Sequence, residues 1–399
     1  MRKIFKGKNA PFSVTLFVAV LFCVTGNAQV LTPLQNKAIT QARQGEIVNL
    51  DGFLSTKIPF IDYQKLVLPG PQFIISDDPE YIHFPEAIAL QENVEPGTVR
   101  LYAYNVNGVT EPRKMDRKIV ALLKNTGKGP MHVRMLKYSS QVPSSNYFNI
   151  GKEGLADYFN SEIESKVRSV APGEVIAIDE KQERYIVKYD DLVHGLYEFV
   201  IDQPGEIAIA QMDPAAKSTE ALDRIKKIIP LSHENAGRGV FGISNYQIIT
   251  RDVYNTASGP VQIMLADGKV DPWVTGIEGV SGEQVHLSGN YGVMYDIEVK
   301  WKSTDGKGLA FITWDANAGS NQWCNGMGTS MVVSKGKFKA GIVHLPVDSL
   351  ITKGAPEGIV IQVFPPSKDA AEQTIHIKYS PPGASCLPVP LVLVPVDVN

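Results

Sequence analysis

The sequence has few cysteines and histidines and no long apolar run in its interior. Three cysteines and seven histidines occur among 399 residues, and none forms a C-x-x-C pair or an H-E-x-x-H motif. Phosphate-binding P-loops, G-x-S-x-G elbows and EF-hand loops are also missing. After residue 28 no stretch reaches about 18 uncharged apolar residues, so no membrane-spanning helix is predicted there. These absences remove the commonest catalytic signatures, and we predict no metal and no cofactor.

Charge and composition bound the class of protein. Lys and Arg number 39 against 42 Asp and Glu, so the formal net charge of −3 provides no positive field for nucleic acid, and we predict no nucleic-acid partner. Hydrophobic residues make up 44% of the chain, alongside 34 glycines and 26 prolines. That apolar content is enough for one large or two medium cores, and it excludes a disordered, collagen-like or coiled-coil protein.

Residues 1–28 have the pattern of a secretory signal peptide. A positively charged start is followed by an 11-residue apolar run, Val14–Val24, and by Gly26-Asn27-Ala28 as a small-x-small cleavage site. Cleavage is favoured over lipid anchoring at Cys23, because the preceding Phe22 is not the small residue that a lipidated cysteine needs. Removing four positive charges takes the formal charge to −7. We expect an exported protein, periplasmic, on the cell surface or extracellular, with no transmembrane segment after cleavage.

Removal of that segment leaves two cysteines, Cys324 and Cys386. An even number in an oxidising compartment predicts one disulfide, and closing a loop of that length would stabilise the fold by about 4 kcal/mol in the chain-entropy model. Two free buried thiols are the alternative, because sequence separation does not show whether the two Cα atoms approach within about 7 Å.

Two short motifs occur twice in the same order. Residues 125–130 and 255–260 share the pattern N-T-x-x-G-P, which predicts a turn between strands, and residues 185–190 and 291–296 share Y-x-V-x-Y-D. The two motifs are 60 residues apart in the first copy and 36 in the second, so the first copy holds an extra 24 residues. The shared order favours two related domains over chance similarity of turn sequences.

A helical pattern near residues 153–168 accounts for most of that surplus. Its apolar residues fall at helical spacing: Leu155, Tyr158, Phe159, Ile163 and Val167. Further helices are predicted near residues 218–229, just before Pro230, and over residues 33–42 in the lead segment 29–44.

Most of the remaining chain has the alternation of β-strands. In residues 291–302 large apolar side chains alternate with small or polar ones, and residues 185–189 and 375–379 show the same period of two. Turn residues recur at short intervals, which is typical of antiparallel sandwiches. We predict a mainly β protein of two tandem antiparallel β-sandwich domains, at residues 45–231 and 238–399, the first with one or two added helices.

The C-terminal segment is apolar and rich in proline. Pro388, Pro390 and Pro395 punctuate the region around the run Leu387–Val394. Because proline cannot donate a hydrogen bond to a β-ladder, we exclude a central strand here and expect an edge strand, packed on the second domain and tied down by Cys386.

Three further segments contain residue types that can bind ligands, but their spacing or their flanking segments do not fit a known binding motif. Residues 237–242 fit G-x-G-x-x-G, but a strand-like segment follows where a dinucleotide site needs a helix. Residues 267–271 could offer oxygens to a cation, but Asp and Gly stand there as they do in turns. The densest acidic and imidazole group could also bind a cation, but its spacing fits no known loop, and we interpret it as a solvated loop: Asp77, Asp78, Glu80, His83 and Glu86.

All four tryptophans lie in the second half of the chain, and two of them bracket a polar loop. Trp314 and Trp323 flank eight residues that include Asn317 and Asn321. Indole faces stack on sugar rings while amides bond the sugar hydroxyls, so this loop is our candidate ligand site. The alternative is that these tryptophans are core residues of a sandwich.

The N-T-x-x-G-P turns in an exported chain resemble those of bacterial immunoglobulin-like and fibronectin-like modules. The resemblance implies a β-sandwich fold but no function, because sandwiches host many unrelated activities. From the residues we predict a non-catalytic structural or binding protein of the bacterial cell envelope or surface, with a glycan or an envelope protein as partner. The alternatives are a carbohydrate-binding module that uses the Trp314–Trp323 loop, and a glycan-active enzyme whose paired carboxylates leave no local motif.

Overall fold

The structure is a computed structural model that describes residues 30–235, 237–316, 327–346 and 355–398. The chain is mainly β, as predicted from the alternating segments. The strands of the described residues are β1 Ile47–Asn49, β2 Tyr63–Leu68, β3 Gln72–Ser76, β4 Tyr81–Ile82, β5 Ala87–Val94, β6 Gly97–Asn107, β7 Lys118–Asn125, β8 Met131–Ser140, β9 Val167–Val170, β10 Val175–Ala177, β11 Leu192–Ile201, β12 Gly205–Met212, β13 Arg238–Phe241, β14 Asn245–Thr250, β15 Tyr254–Asn255, β16 Val261–Leu265, β17 Thr275–Ile277, β18 Gln284–His286, β19 Met294–Lys302, β20 Gly308–Thr313, β21 Ser330–Val333, β22 Gly341–His344, β23 Glu357–Phe364, β24 Gln373–Tyr379 and β25 Val389–Val396.

These strands form four sheets. A four-stranded sheet has the order β10-β7-β12-β5, and a five-stranded sheet has the order β1-β23-β20-β25-β16. A seven-stranded sheet has the order β2-β14-β19-β24-β21-β22, with β15 beside β19. The largest sheet has nine strands in the order β18-β17-β13-β3-β6-β11-β8-β9, with β4 beside β6.

Three helices lie among the strands: α1 Pro33–Gln41, α2 Tyr147–Asn160 and α3 Ala221–Arg224. The prediction for residues 33–42 is confirmed, and Thr32 caps α1 by accepting a hydrogen bond from the Gln35 amide at 3.2 Å. The helix predicted at 153–168 begins six residues earlier and ends at Asn160, because Val167 already belongs to β9, which pairs with β8. Near 218–229 a single 3₁₀ turn leads into the short α3.

None of the described helices is long and apolar enough to cross a membrane. The longest, α2, has 14 residues, whereas a span needs about 20.

The sheets are stacked with apolar cores between them. Strand β6 shows how, because Leu101 faces a core shared with the four-stranded sheet, whereas the next residue, Tyr102, faces a larger core shared with the seven- and five-stranded sheets. Helix α1 and the segment after it cover the outer face of the five-stranded sheet, where Ile39 and Phe53 contact its apolar side chains. The nine-stranded sheet is therefore buried on both faces at its centre.

Strands cross between the two halves of the chain. Strands β1 and β2, from the first half, pair with β23 and β14 of the second half. In the other direction, β13 of the second half pairs with β3. Three of the four sheets therefore contain strands from both sides of the boundary predicted between residues 231 and 238, and the tandem arrangement of two separate domains is not confirmed.

The repeated motifs have only partly similar structures. In both N-T-x-x-G-P turns the asparagine Oδ1 accepts a backbone amide two residues on, from Gly127 at 2.8 Å and from Ala257 at 3.3 Å. The strand prediction at residues 185–189 is wrong, because this segment follows a 3₁₀ turn and only Val187 forms an isolated bridge, to Arg117. Its counterpart leads directly into β19, whose alternating burial follows the prediction.

The exclusion of a central strand at the C-terminus is also wrong. Strand β25 lies between β20 and β16 in the five-stranded sheet. Its pairing with β20 ends at Leu391, so Pro390 has a partner only in β16, whereas the pairing with β16 ends at Leu393, so Pro395 has a partner only in β20. Each proline therefore lies where the strand has a single neighbour, and its missing N–H interrupts no ladder on the other side.

A buried ion pair fixes the crossing strand β13. The Arg238 guanidinium donates to Glu278 Oε1 at 2.8 and 3.1 Å, and both side chains are at most 1% exposed. Arg238 also donates to the carbonyl oxygens of Ala89 and Ile229, at 3.2 and 3.0 Å. The second carboxylate oxygen of Glu278 accepts from the Ser281 amide at 2.6 Å. The pair thus joins the edge of the nine-stranded sheet to β5 and to the segment before β13.

Replacing the arginine tests this connection. Arg238→Met leaves a carboxylate buried without its partner, and we expect the free energy of unfolding to fall by about 3–5 kcal/mol in urea titrations followed by circular dichroism. The control is Arg251→Met, because the Arg251–Asp62 pair is 57% and 73% exposed and its loss costs less than about 1 kcal/mol. Equal losses in the two variants would contradict the connecting role of Arg238.

Candidate functional site

Of the four residues predicted to form the site at the tryptophan loop, Trp314 alone lies among the described residues, and it is half-buried. It follows β20 and packs against the core beneath α1. Its indole N–H is buried and has no hydrogen-bond partner among the described residues. Asn317, Asn321 and Trp323 lie outside the described residues, so the glycan site at this loop stays a prediction.

The predicted disulfide also stays a prediction. Cys386 is buried just before β25, whereas Cys324 lies outside the described residues. Within the residues that are described, no group of three His, Cys, Asp or Glu side chains could hold a metal ion.

The two glycine-containing segments, residues 267–271 and 237–242, form a turn and a strand. In residues 267–271 the amides of Lys269 and Asp271 donate to Asp267 Oδ1 at 3.0 and 2.8 Å, which confirms the predicted turn. The Asp271 carboxylate is in turn held by Lys65 and by the Tyr295 hydroxyl. In residues 237–242 the G-x-G-x-x-G run contains strand β13, which pairs on both sides.

Of the acidic and imidazole side chains at residues 77–86, some form hydrogen bonds or ion pairs with the described residues and others form neither. His83 Nδ1 lies 2.8 Å from the Gly108 carbonyl oxygen, Glu86 pairs with an arginine, and the Asp78 carboxylate accepts the Ser232 amide at 3.0 Å. The side chains of Asp77 and Glu80 form no hydrogen bond or ion pair with the described residues.

Asp77 and Glu80 lie beside a group of aromatic side chains where the two halves of the chain meet. We name this group the junction cluster: Asp77, Glu80, Tyr102, Tyr104, His194 and Tyr291. The two acids follow β3, the two tyrosines alternate on one face of β6, and His194 is the cross-strand partner of Tyr104 on β11. Tyr291, from the other half, precedes β19.

The floor of the junction cluster is aromatic and buried. The ring of His194 lies edge-on to Tyr102, with centroids 5.2 Å apart, and 6.4 Å from the Tyr104 ring. The Tyr102 hydroxyl accepts the Gly383 amide at 2.6 Å. The Tyr104 hydroxyl has no partner among the described residues, and His194 Nδ1 has none outside its own residue, although the two residues are only 3% and 1% exposed. Buried polar groups normally find a partner, so these two atoms are exceptions that need an explanation.

Two glycines allow neighbouring segments to approach this floor. A Cβ atom at Gly154 of α2 would lie 2.1 Å from His194 Cε1, and one at Gly383 would lie 2.2 Å from the Tyr104 ring. Any larger residue at either position would collide with the cluster. Helix α2 and the loop before β25 therefore close the cluster from two sides.

Electrostatics in the cluster favour neutral groups. Burial raises the pKa of Asp77 well above its usual value, and the carboxylates of Glu80 and Asp78 raise it further. Burial, followed by the charges of Asp77 and Glu80, raises the pKa of Tyr291, and burial lowers the pKa of His194 to about 4. At neutral pH the site therefore holds neutral phenols, a neutral imidazole and carboxyl groups that retain protons more strongly than usual.

The members of the cluster differ in their exposure to solvent. Glu80 is exposed, Asp77 and Tyr291 are half-buried, and Tyr102 and Tyr104 are buried. A ligand bound to the cluster would meet carboxyl and phenol oxygen atoms together with aromatic rings.

Sequence reasoning noticed the acids but interpreted them as a solvated loop, and it missed the tyrosines and the histidine. Tyr102, Tyr104 and His194 lie on strands whose two faces are both buried, so their local pattern indicates only core. The sequence signal for them was weak: two tyrosines two residues apart in one predicted strand, and a histidine in another strand. Their meeting with Tyr291 depends on the crossing of strands between the halves.

Comparison with known proteins adds no family. No protein-family model matches the chain, and no curated protein matches it. Among solved structures, the human MASP-1/3 CUB1-EGF-CUB2 fragment is 8% identical with a TM-score of 0.17, over 84% of this chain and 99% of that one. The Lactobacillus farciminis oxalate decarboxylase formate complex is 11% identical with a TM-score of 0.14, over 76% and 75%. The 11S allergen from Cocos nucifera is 10% identical with a TM-score of 0.14, over 89% and 91%.

Two tyrosine-to-phenylalanine changes distinguish paired from unpaired hydroxyls. Tyr102→Phe removes the acceptor of the Gly383 amide, so we expect the free energy of unfolding to fall by about 1–2 kcal/mol in urea titrations. Tyr104→Phe removes a buried hydroxyl that has no described partner, so we expect no loss, or a gain of about 1 kcal/mol. An equal loss in both variants would show that the Tyr104 hydroxyl is already satisfied by the protein.

Proposed function

We propose that this chain is an exported, non-catalytic binding protein of the bacterial cell envelope or surface, and that the junction cluster is its binding site. The supporting observation is the Tyr104 hydroxyl, which is buried and has no hydrogen-bond partner among the described residues. Leaving such a group unpaired costs about 1–3 kcal/mol, which a bound ligand that hydrogen-bonds to it would offset.

Binding is favoured over catalysis by the state of the groups in the cluster. The pKa of each cluster tyrosine is raised by burial, so none is poised as a nucleophile or base near neutrality. Among the described residues, no carboxylate forms a hydrogen bond with His194, whose pKa burial lowers to about 4, so none orients its ring for proton transfer. These groups can position a ligand by hydrogen bonds without altering it.

Export rests on the signal pattern of residues 1–28. Its positive start, apolar run and small-x-small site are those of a cleaved secretory signal.

A ligand screen by thermal unfolding tests the proposed function. The probes are neutral sugars (glucose, mannose and N-acetylglucosamine), primary amines (n-butylammonium and putrescine) and carboxylates (acetate and succinate). A ligand at 100 times its Kd stabilises the fold by about 2.7 kcal/mol, so we expect one class to raise the melting temperature by several degrees. The rise should disappear in Asp77→Asn and persist in the control Asp62→Asn, whose carboxylate is exposed in a surface ion pair. The proposal fails if no class stabilises the wild-type protein more than Asp77→Asn.

A further inference from the structure

A cavity of about 1200 Å³ lies beside helix α1, at the outer face of the five-stranded sheet. Its lining comes from distant parts of the chain: helix α1, the turn at residues 256–260, the turn at residues 305–307 and the end of strand β25. None of the described residues of the junction cluster lines it. Small-molecule sites usually have about 300–1,000 Å³, so this cavity is large enough for such a ligand.

Hydrogen bonds connect the elements that surround the cavity. The Asn36 side chain of α1 donates to the Asp397 carbonyl oxygen at 3.2 Å and accepts the Asp397 amide at 2.8 Å. Near the other end of the helix, Lys337 Nζ donates to the Thr40 carbonyl oxygen at 2.7 Å. All four residues line the cavity, so its walls are held together before any ligand binds.

The apolar part of the lining is aliphatic. Val363 and Val394 are buried, whereas Leu31 and Val398 are half-buried. Among the described lining residues the only aromatic one is Phe53, and it is only 2% exposed. The cavity therefore offers little aromatic face on which a sugar or a nucleobase could stack. Aliphatic side chains suit an alkyl chain, whose removal from water is favourable.

The charged part of the lining is positive on balance. Lys37, Lys307 and Lys337 line the cavity, against Asp305 and Asp397. The Asp305 carboxylate already accepts a threonine hydroxyl at 2.5 Å and the Lys307 amide at 3.3 Å. In contrast, the ammonium groups of Lys37 and Lys307 form no hydrogen bond or ion pair with the described residues. Both are therefore available to an anionic group of a ligand.

We propose that this cavity is a second binding site, separate from the junction cluster, and that it binds the carboxylate of a single unbranched alkyl chain. The lysines that line the cavity bind the carboxylate group, and the aliphatic residues contact the alkyl chain. An uncharged chain lacks the first interaction, and a short carboxylate lacks most of the second.

Calorimetric titration of residues 29–399 with sodium decanoate tests the proposal. We expect saturable binding of a single decanoate. Octanoate should bind roughly 10-fold more weakly, because two fewer methylene groups leave water. 1-Decanol, which has the same chain without the charge, should also bind at least about 10-fold more weakly, because it cannot form a charge-assisted hydrogen bond to a lysine.

Variants at the charged lining residues test which groups bind the carboxylate. Lys37→Gln and Lys307→Gln should each weaken decanoate binding about 3- to 5-fold, and together at least about 10-fold. Asp397→Asn removes an opposing charge from the lining and should tighten binding. The controls are Lys57→Gln, at an exposed lysine outside the lining, and Asp77→Asn in the junction cluster, and both should bind decanoate like the wild-type chain.

Three results would overturn the assignment. The first is the absence of saturable heat with decanoate. The second is equal decanoate affinity in the wild-type chain and the double lysine variant, which would place the carboxylate elsewhere. The third is flotation with phosphatidylglycerol vesicles that the double variant loses, without a saturable decanoate site, which would make this surface a membrane contact. None of these results bears on the junction cluster, whose own test depends on Asp77→Asn.

Discussion

Strand β13 pairs with strand β3, and this pairing brings two distant parts of the chain into one nine-stranded sheet. The residues it joins are more than 150 positions apart, and the pairing is fixed by Arg238, whose guanidinium donates to Glu278 and to backbone carbonyls. A guanidinium at such depth needs a paired carboxylate and several acceptors, because an uncompensated buried charge is strongly destabilising. In the opposite direction, the pairing of β2 with β14 binds the N-terminal segment to the second half. The two halves therefore share their sheets and much of their core.

The position of the junction cluster follows from that sharing. Tyr102 and Tyr104 project from β6 into the core that is common to both halves, and Tyr291 reaches the same place from the segment before β19. A second ionic link lies nearby, where Arg100 donates to Glu198 Oε2 at 2.9 Å and to the Ser244 carbonyl oxygen at 2.9 Å. These contacts join β6 to β11 and to the residue that precedes β14.

Local features of the sequence predicted local structure well. The period-two run that ends at Trp301 is a strand with alternate burial, and residues 33–41 form a helix with its capping box. Predictions failed where distant pairing decides the outcome. Proline at 390 and 395 was expected to keep the last strand at an edge, but the staggered ends of its neighbours accommodate both residues at the centre of the sheet. The residues from Tyr185 have a strand-like pattern, yet no neighbouring strand pairs with them beyond one bridge.

The same reason explains why only the two acids of the cluster, which we interpreted as part of a solvated loop, are conspicuous in the sequence. The acids at 77 and 80 stand out in the sequence, whereas the aromatic residues that surround them are drawn from β6, β11 and the segment before β19. Only the sheet topology shows that these residues meet. Which strands become neighbours cannot be deduced from a local pattern in a single sequence. The tandem arrangement of two separate sandwiches is not confirmed for the same reason, because the period of a strand does not show which strands pair with it.

Differential scanning calorimetry of residues 29–399 tests most directly whether the two halves form one interlocked unit. Shared sheets and a shared core predict a single transition, with a calorimetric enthalpy equal to the van't Hoff enthalpy. Two separable transitions, each assignable to one half of the chain, would contradict the account of a single unit and of a binding site built across it.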